Sequence, residues 1–94
     1  ASVTTYIAVA GDQLLTNTTT AGITITLPSS AATGDEIVIV DARGTFASNG
    51  LIINRNGHNI NSSAANITLS TNGQAITLVY VDTTRGWAFK TNTA

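Results

Sequence analysis

One histidine and five carboxylates are the residues in this chain that could carry acid–base or nucleophilic chemistry. His58 is the single imidazole, and it lies in a polar, glycine-containing segment, residues 54–61. A serine or threonine nucleophile needs a base beside it, and the chain contains no Gly-x-Ser-x-Gly elbow. We therefore expect His58 to be a solvated turn residue and not a catalytic base.

The carboxylates belong to Asp12, Asp35, Glu36, Asp41 and Asp82. Most of them sit at the start or end of an apolar run, beside glycine, where an aspartate side chain accepts hydrogen bonds from turn amides. We expect this structural role, with Asp41 and Arg43 forming a local ion pair. With no cysteine, one histidine and no calcium-loop spacing, the sequence predicts no metal site, no cofactor and no enzyme activity.

Carbohydrate binding is the remaining site chemistry for which the chain has suitable residues. Sugars stack on aromatic rings and exchange hydrogen bonds with amides and arginine. The candidate contacts for a glycan or a protein partner are Trp87, Tyr80, Arg85, Asn54 and Asn56. Because Trp87 and Tyr80 lie in apolar runs, the alternative is that both belong to the core or to a subunit contact.

The charge content excludes several classes of partner. The net charge is −1 and 10% of residues are charged, against about 25% in an average soluble domain. Three arginines and one lysine spread over the chain make no basic stripe for phosphates, so we expect no nucleic-acid binding. No apolar run approaches the length of a membrane span, and we expect no membrane association.

The apolar pattern predicts an all-β fold in a single domain, residues 1–94. β-branched residues dominate, and turn signals recur about every 8–12 residues, which is typical of a sandwich or barrel. The expected strands are Tyr6–Val9, Gln13–Leu15, Ile23–Leu27, Ile37–Val40, Leu51–Ile53, Ile67–Leu69, Ala75–Val81 and Trp87–Phe89. We expect a small antiparallel sandwich or barrel of about eight short strands, with Phe46 and Ile60 reaching the core from loops.

Two of these strands are apolar on both faces. In Ala75–Val81, Ile76, Leu78 and Tyr80 point one way while Val79 and Val81 point the other. No helix is predicted to cover the second face, and a chain of this size without disulfides or metals often gains stability from association. Val38, Val40, Val79 and Val81 are therefore the expected subunit interface.

The order of the motifs resembles a known structural module. The matching pieces run from Gly11 to Trp87: Ile23-Thr-Ile-Thr-Leu-Pro28, Gly34-Asp-Glu-Ile-Val-Ile-Val-Asp-Ala42, Gly44-Thr-Phe-Ala-Ser-Asn49, Ile53-Asn-Arg-Asn-Gly57, Ile60-Asn61, Leu78-Val-Tyr-Val81 and Gly86-Trp87. Together they resemble a β-rich module of tail fibres, tailspikes and related virion proteins of tailed bacteriophages. The resemblance implies a homotrimer on the surface of the phage particle, without catalytic residues of its own.

Three functions remain open from the sequence. The first is a non-catalytic structural module of tail-fibre or tailspike type, in contact with other virion proteins and with the host surface. The second is a capsid decoration, or cement, protein that stabilises the phage head. The third is a carbohydrate-binding module that recognises a host-surface glycan.

Overall fold

The computed structural model describes residues 5–93, and the side chains of residues 5–90. The described chain is all β, with eight strands and no helix. The strands are β1 (Thr5–Ile7), β2 (Gln13–Thr16), β3 (Ile23–Thr26), β4 (Glu36–Asp41), β5 (Leu51–Asn54), β6 (Ile67–Leu69), β7 (Ala75–Asp82) and β8 (Gly86–Thr93). The number of strands and their approximate positions confirm the expectation from the sequence.

The strands form two four-stranded sheets. The first sheet has the order β1-β3-β5-β6, and the second has the order β2-β4-β7-β8. The first five strands alternate between the sheets: β1, β3 and β5 lie in the first sheet, and β2 and β4 in the second. The chain therefore winds as a short coil around the space between the two sheets. The last three strands then add β6 to the first sheet and the β7–β8 hairpin to the second.

The expectation that the strands pair in the antiparallel sense is wrong for half of the strand pairs. Three strand pairs are parallel, namely β1–β3, β2–β4 and β3–β5, and three are antiparallel, namely β4–β7, β5–β6 and β7–β8. The cause is the alternation between sheets. Each crossing to the other sheet reverses the direction of the chain, so two crossings in succession restore it, and β3 runs parallel to β1. A tight hairpin reverses the chain only once, so its two strands are antiparallel.

The inner faces of both sheets supply one hydrophobic core. Buried and partly exposed side chains alternate along the strands. Ile37 and Ile39 of β4, and Ile76 and Leu78 of β7, are fully buried, and the residues between them are half-buried. Four loop residues complete the core, namely Ala8, Leu27, Phe46 and Ile60. A single copy therefore buries a continuous apolar interior, and Phe46 and Ile60 lie where the sequence predicted.

A loop pairs with the beginning of β8, at the outer edge of the second sheet. The backbone N–H of Trp87 donates to the carbonyl of Asn59 at 2.8 Å, and the N–H of Asn61 donates to the carbonyl of Trp87 at 2.7 Å. Ile60 bridges Trp87 in the parallel sense, and the N–H of Ser62 donates to the carbonyl of Arg85. Residues 59–62 therefore act as a short extra strand, which we call the capping loop.

Gly86 makes this close approach possible. It has a φ of +70°, and a Cβ at this position would collide with the backbone carbonyl of Asn59. Gly57 has a similar φ of +87°, but a Cβ there would meet no atom within 4 Å. An alanine at Gly57 would therefore meet only the strain of a positive φ, whereas an alanine at Gly86 would meet the same strain and a backbone clash as well.

We expect Gly86→Ala to lower the free energy of unfolding by about 3 kcal/mol or more, because strain and clash add. Gly57→Ala should cost only about 1–2 kcal/mol, the usual penalty for a left-handed L-residue. Urea denaturation followed by tryptophan fluorescence measures both. Equal losses at the two positions would show that the capping loop does not press on β8 at Gly86.

Candidate functional site

The aspartates serve the backbone, as the sequence predicted. Asp12 Oδ2 accepts the N–H of Val9 at 2.8 Å and the hydroxyl of Tyr6 at 3.0 Å. Asp35 Oδ2 accepts the N–H of Ala32 at 2.9 Å. In the β7–β8 turn, Asp82 Oδ1 accepts two successive N–H groups, at 3.0 and 2.7 Å. Each of these three carboxylates therefore closes a turn, and none of the five hydrogen bonds joins one carboxylate to another.

Asp41 is the buried member of the set and joins two loops at the end of β4. Its carboxylate accepts the N–H groups of Thr45 and Phe46, both at 3.1 Å, and of Gly73 at 2.9 Å. The expected ion pair with Arg43 is not what holds it. The only salt bridge between described side chains joins Lys90 and Glu36, at 3.3 Å. Amide donors replace a counter-ion here because two turns converge on one carboxylate.

The balance of two effects sets the protonation of Asp41. Burial alone would raise its pKa, but hydrogen bonds from the N–H groups of Gly73, Phe46, Thr45 and Arg43 outweigh burial and lower the pKa below the ordinary value of 3.8. The folded state therefore favours the carboxylate more than the unfolded chain does. Its contribution to stability is complete above the unfolded pKa and is lost as the pH falls through the folded pKa.

We expect Asp41→Asn to lower the free energy of unfolding by about 2 kcal/mol, because the charge-assisted bonds weaken and an amide N–H₂ faces backbone donors. The variant should also lose part of the decline in stability that the wild type shows below the ordinary aspartate pKa. Asp82→Asn, at an exposed carboxylate with the same kind of acceptor role, is the control, and it should cost less than about 1 kcal/mol. Urea unfolding at several acidic pH values measures both effects, and identical pH profiles for wild type and Asp41→Asn would contradict this assignment.

The two aromatic candidates for glycan contact lie in the core. Trp87 is fully buried, and Tyr80 is 5% exposed. The two rings meet edge to face, with centroids 5.4 Å apart, and the ring of His58 packs on Tyr80 in the same manner at 5.3 Å. Neither ring has a free face on which a sugar could stack. The structure therefore supports the alternative that the sequence left open, in which both residues are core residues.

The polar candidates are also placed by local structure. Asn54 Oδ1 accepts the N–H of Asn56, and Asn56 Nδ2 donates to the carbonyl of Leu27 at 3.0 Å. Asn56 adopts a φ of +49° and Gly57 one of +87°, which confirms the predicted turn. Arg85 is exposed on the β7–β8 turn. The five residues therefore do not make a common binding surface: two are in the core, two shape a turn and one is free in solvent.

His58 is held within the fold and is not merely a solvated turn residue. Its Nε2 lies 2.8 Å from the carbonyl oxygen of Ser29. Since a carbonyl only accepts, this nitrogen carries the hydrogen and donates it. The ring is half-buried, and the guanidinium of Arg55 donates to the His58 carbonyl at 3.2 Å. This geometry uses Nε2 to tie the 54–61 turn to the loop after β3, so Nε2 is not the ring nitrogen that could accept a proton.

The expected interface residues share the outer face of the second sheet. We call this surface the valine face; its members are Leu15, Val38, Val40, Val79 and Val81. Pairing places Leu15 beside Val40 and Glu36 beside Val79. Val38, Val40 and Val79 are half-buried, whereas Val81 is 37% and Leu15 67% exposed. The sequence did not single out Leu15, although its position in the apolar pair Leu14-Leu15 is the signal that could have found it.

Comparison with protein-family models gives no match, and comparison with curated proteins gives no significant match either. Within residues 5–93, no helix could span a membrane. The described residues contain no group of three or more histidine, cysteine or acidic side chains placed to hold a metal ion.

Proposed function

We propose that this chain is a non-catalytic structural module of a bacteriophage virion, of the tail-fibre or tailspike type, and that it assembles as a homotrimer. The observation that carries the proposal is the valine face. It is a set of aliphatic side chains on the outer side of a sheet whose inner side already packs on the core, with Gln13 and Thr77 beside Val38 and Glu36 beside Val79. We further propose that the two sheets form a sandwich, since no strand pair joins them among the described strands.

The composition of the valine face favours burial against protein. Fully burying one valine side chain is worth about 1.5–3 kcal/mol. Val38, Val40 and Val79 are already half-buried and Val81 is 37% exposed, so each would contribute a fraction of that value on association. The charges at its border, Glu36 and Lys90, are 42% and 57% exposed and pair with each other, so they present little net charge to an approaching copy. A neutral apolar sheet face with a polar rim is typical of a subunit contact.

The remainder of the fold suits a structural role. The aspartates stabilise turns, and the aromatic rings fill the core. The described side chains thus contribute to the shape and rigidity of the module. We assign no host-contact residues within this proposal, because the two aromatic candidates for a glycan site are buried.

We expect the valine face to join three chains, so that in sedimentation-equilibrium experiments the mass of the purified chain is three times its 9.6 kDa or a multiple of that trimer mass. Val38→Lys, at the centre of the valine face, should abolish the threefold association, because a lysine there would be buried without a partner. Ile52→Lys is the matched control, since Ile52 is 41% exposed on the outer face of the first sheet. A wild-type chain that stays monomeric at high micromolar concentration would contradict the trimer.

Location on a phage particle is tested separately. Antibodies against the chain should label virions of the phage that encodes it, and quantitative mass spectrometry of purified particles should find few copies per virion. Hundreds of copies, with label on the head, would instead indicate the capsid decoration protein that the sequence left as an alternative. Absence of the chain from purified virions would contradict both assignments.

A further inference from the structure

One end of the two-sheet coil is open. β1 is the edge strand of the first sheet and β2 is the edge strand of the second, and only residues 8–12 separate them in the chain. Each pairs on one side only among the described strands, with β3 and β4 respectively. We call the outer edges of β1 and β2 the open end.

The hydrogen bonds show which backbone groups point outward there. The N–H of Ala8 donates to Thr26, so Ala8 faces β3. In β2, the carbonyls of Asp12 and Thr16 accept N–H groups from the β4 side. Alternate residues of a parallel strand face the same neighbour. The N–H and C=O groups of Ile7 and Leu15 therefore point away from their sheets, in the direction where a further strand would pair.

The side chains at the open end are the most exposed large apolar residues among those described. Ile7 is 69%, Leu15 67% and Val9 61% exposed. Neither β1 nor β2 contains a charged residue or a proline, although natural edge strands usually carry such residues or a bulge to prevent pairing.

The opposite end of the coil is protected. The capping loop covers the edge of β8 near Trp87. β8 also carries Lys90 and is irregular in its pairing with β7, with register shifts at two places. β6, the edge of the first sheet at this end, is three residues long, as is β1 at the open end, so strand length does not distinguish the two ends. The two ends of the molecule therefore differ: the capping loop and the irregular pairing of β8 hinder the addition of a further strand at one end, and β1 and β2 have no such feature at the other.

We propose that the open end docks against the open end of a second copy of this chain. A twofold axis perpendicular to the sheets sets β1 antiparallel to its equivalent and β2 antiparallel to its equivalent, so that both sheets continue across the junction. The partner is a second copy because the open end presents two edge strands, one in each sheet, and a partner that pairs with both must present two strands separated by the same distance as the two sheets. A lone extended peptide would satisfy one edge and leave the other exposed, whereas the open end of another copy satisfies both.

This contact is separate from the proposed trimer, because it uses strand edges and not the valine face. Ile7 belongs to the open end alone and Val38 to the valine face alone, so Ile7→Lys and Val38→Lys test the two contacts independently. Ile52→Lys adds the same charge at a similar exposed isoleucine away from both surfaces and serves as the control for each. Circular dichroism verifies that every variant keeps its strand content.

Sedimentation equilibrium then distinguishes the outcomes. If both contacts exist, the wild type contains six chains, Ile7→Lys three, Val38→Lys two, and the double variant one. If only the open end associates, the wild type contains two chains, Val38→Lys leaves that number unchanged, and Ile7→Lys halves it. Unchanged mass in Ile7→Lys, or an equal loss in Ile52→Lys, overturns the proposal whether or not the trimer is found.

A second measurement separates strand pairing from a side-chain contact. Hydrogen exchange should show the amides of Ile7 and Leu15 protected in the wild type at associating concentrations and exposed on dilution. Ile7→Pro removes an outward N–H of β1 while the hydrogen bond from the Ala8 N–H to Thr26 remains possible, and it should halve the mass as Ile7→Lys does. Fast exchange at both amides in the associated state would overturn the proposed pairing.

Discussion

The alternation of the first five strands between two sheets is the constraint on which the rest of this structure depends. Each crossing turns one face of a short strand toward the same interior, so Ile25, Ile39 and Ile53 of successive strands all reach one core. A hairpin would have kept consecutive strands in one sheet and required the second layer to come from elsewhere. The crossings therefore let fewer than a hundred residues cover a core from both sides.

The same constraint explains the polar chemistry of the loops. A chain that crosses between layers at most of its connections has many backbone amides at its corners that no strand can satisfy. Aspartate is short enough to accept from two or three of them at once, and Asp41 does so for the 42–46 and 73 segments. The scarcity of charge in the sequence is thus consistent with a fold in which carboxylates stabilise turns and seldom meet cations.

The sequence predicted the strands well and their pairing poorly, for one physical reason. Alternating apolar residues report which face of a strand is buried, and Ile76, Leu78 and Tyr80 lie inward as their spacing indicated. A turn signal such as Asn72-Gly73 reports only that the chain reverses. It does not say whether the next strand pairs with the previous one or crosses to the other sheet. The parallel pairs depend on that second choice, which is made by contacts distant in sequence.

The sequence left two roles open for Trp87 and Tyr80, glycan contact or core, for a related reason. Trp87 and Tyr80 had the right chemistry for a sugar, but burial is a tertiary property, and the capping loop that helps cover Trp87 begins at Asn59. The carboxylates were predictable because their role is local: Asp35 and Asp82 bond amides three residues away or fewer. The open end was not predictable at all, since an edge strand is defined by the neighbour it lacks. Its exposed Ile7 and Leu15 resemble core residues in the sequence, and only the strand order reveals that they lie outside.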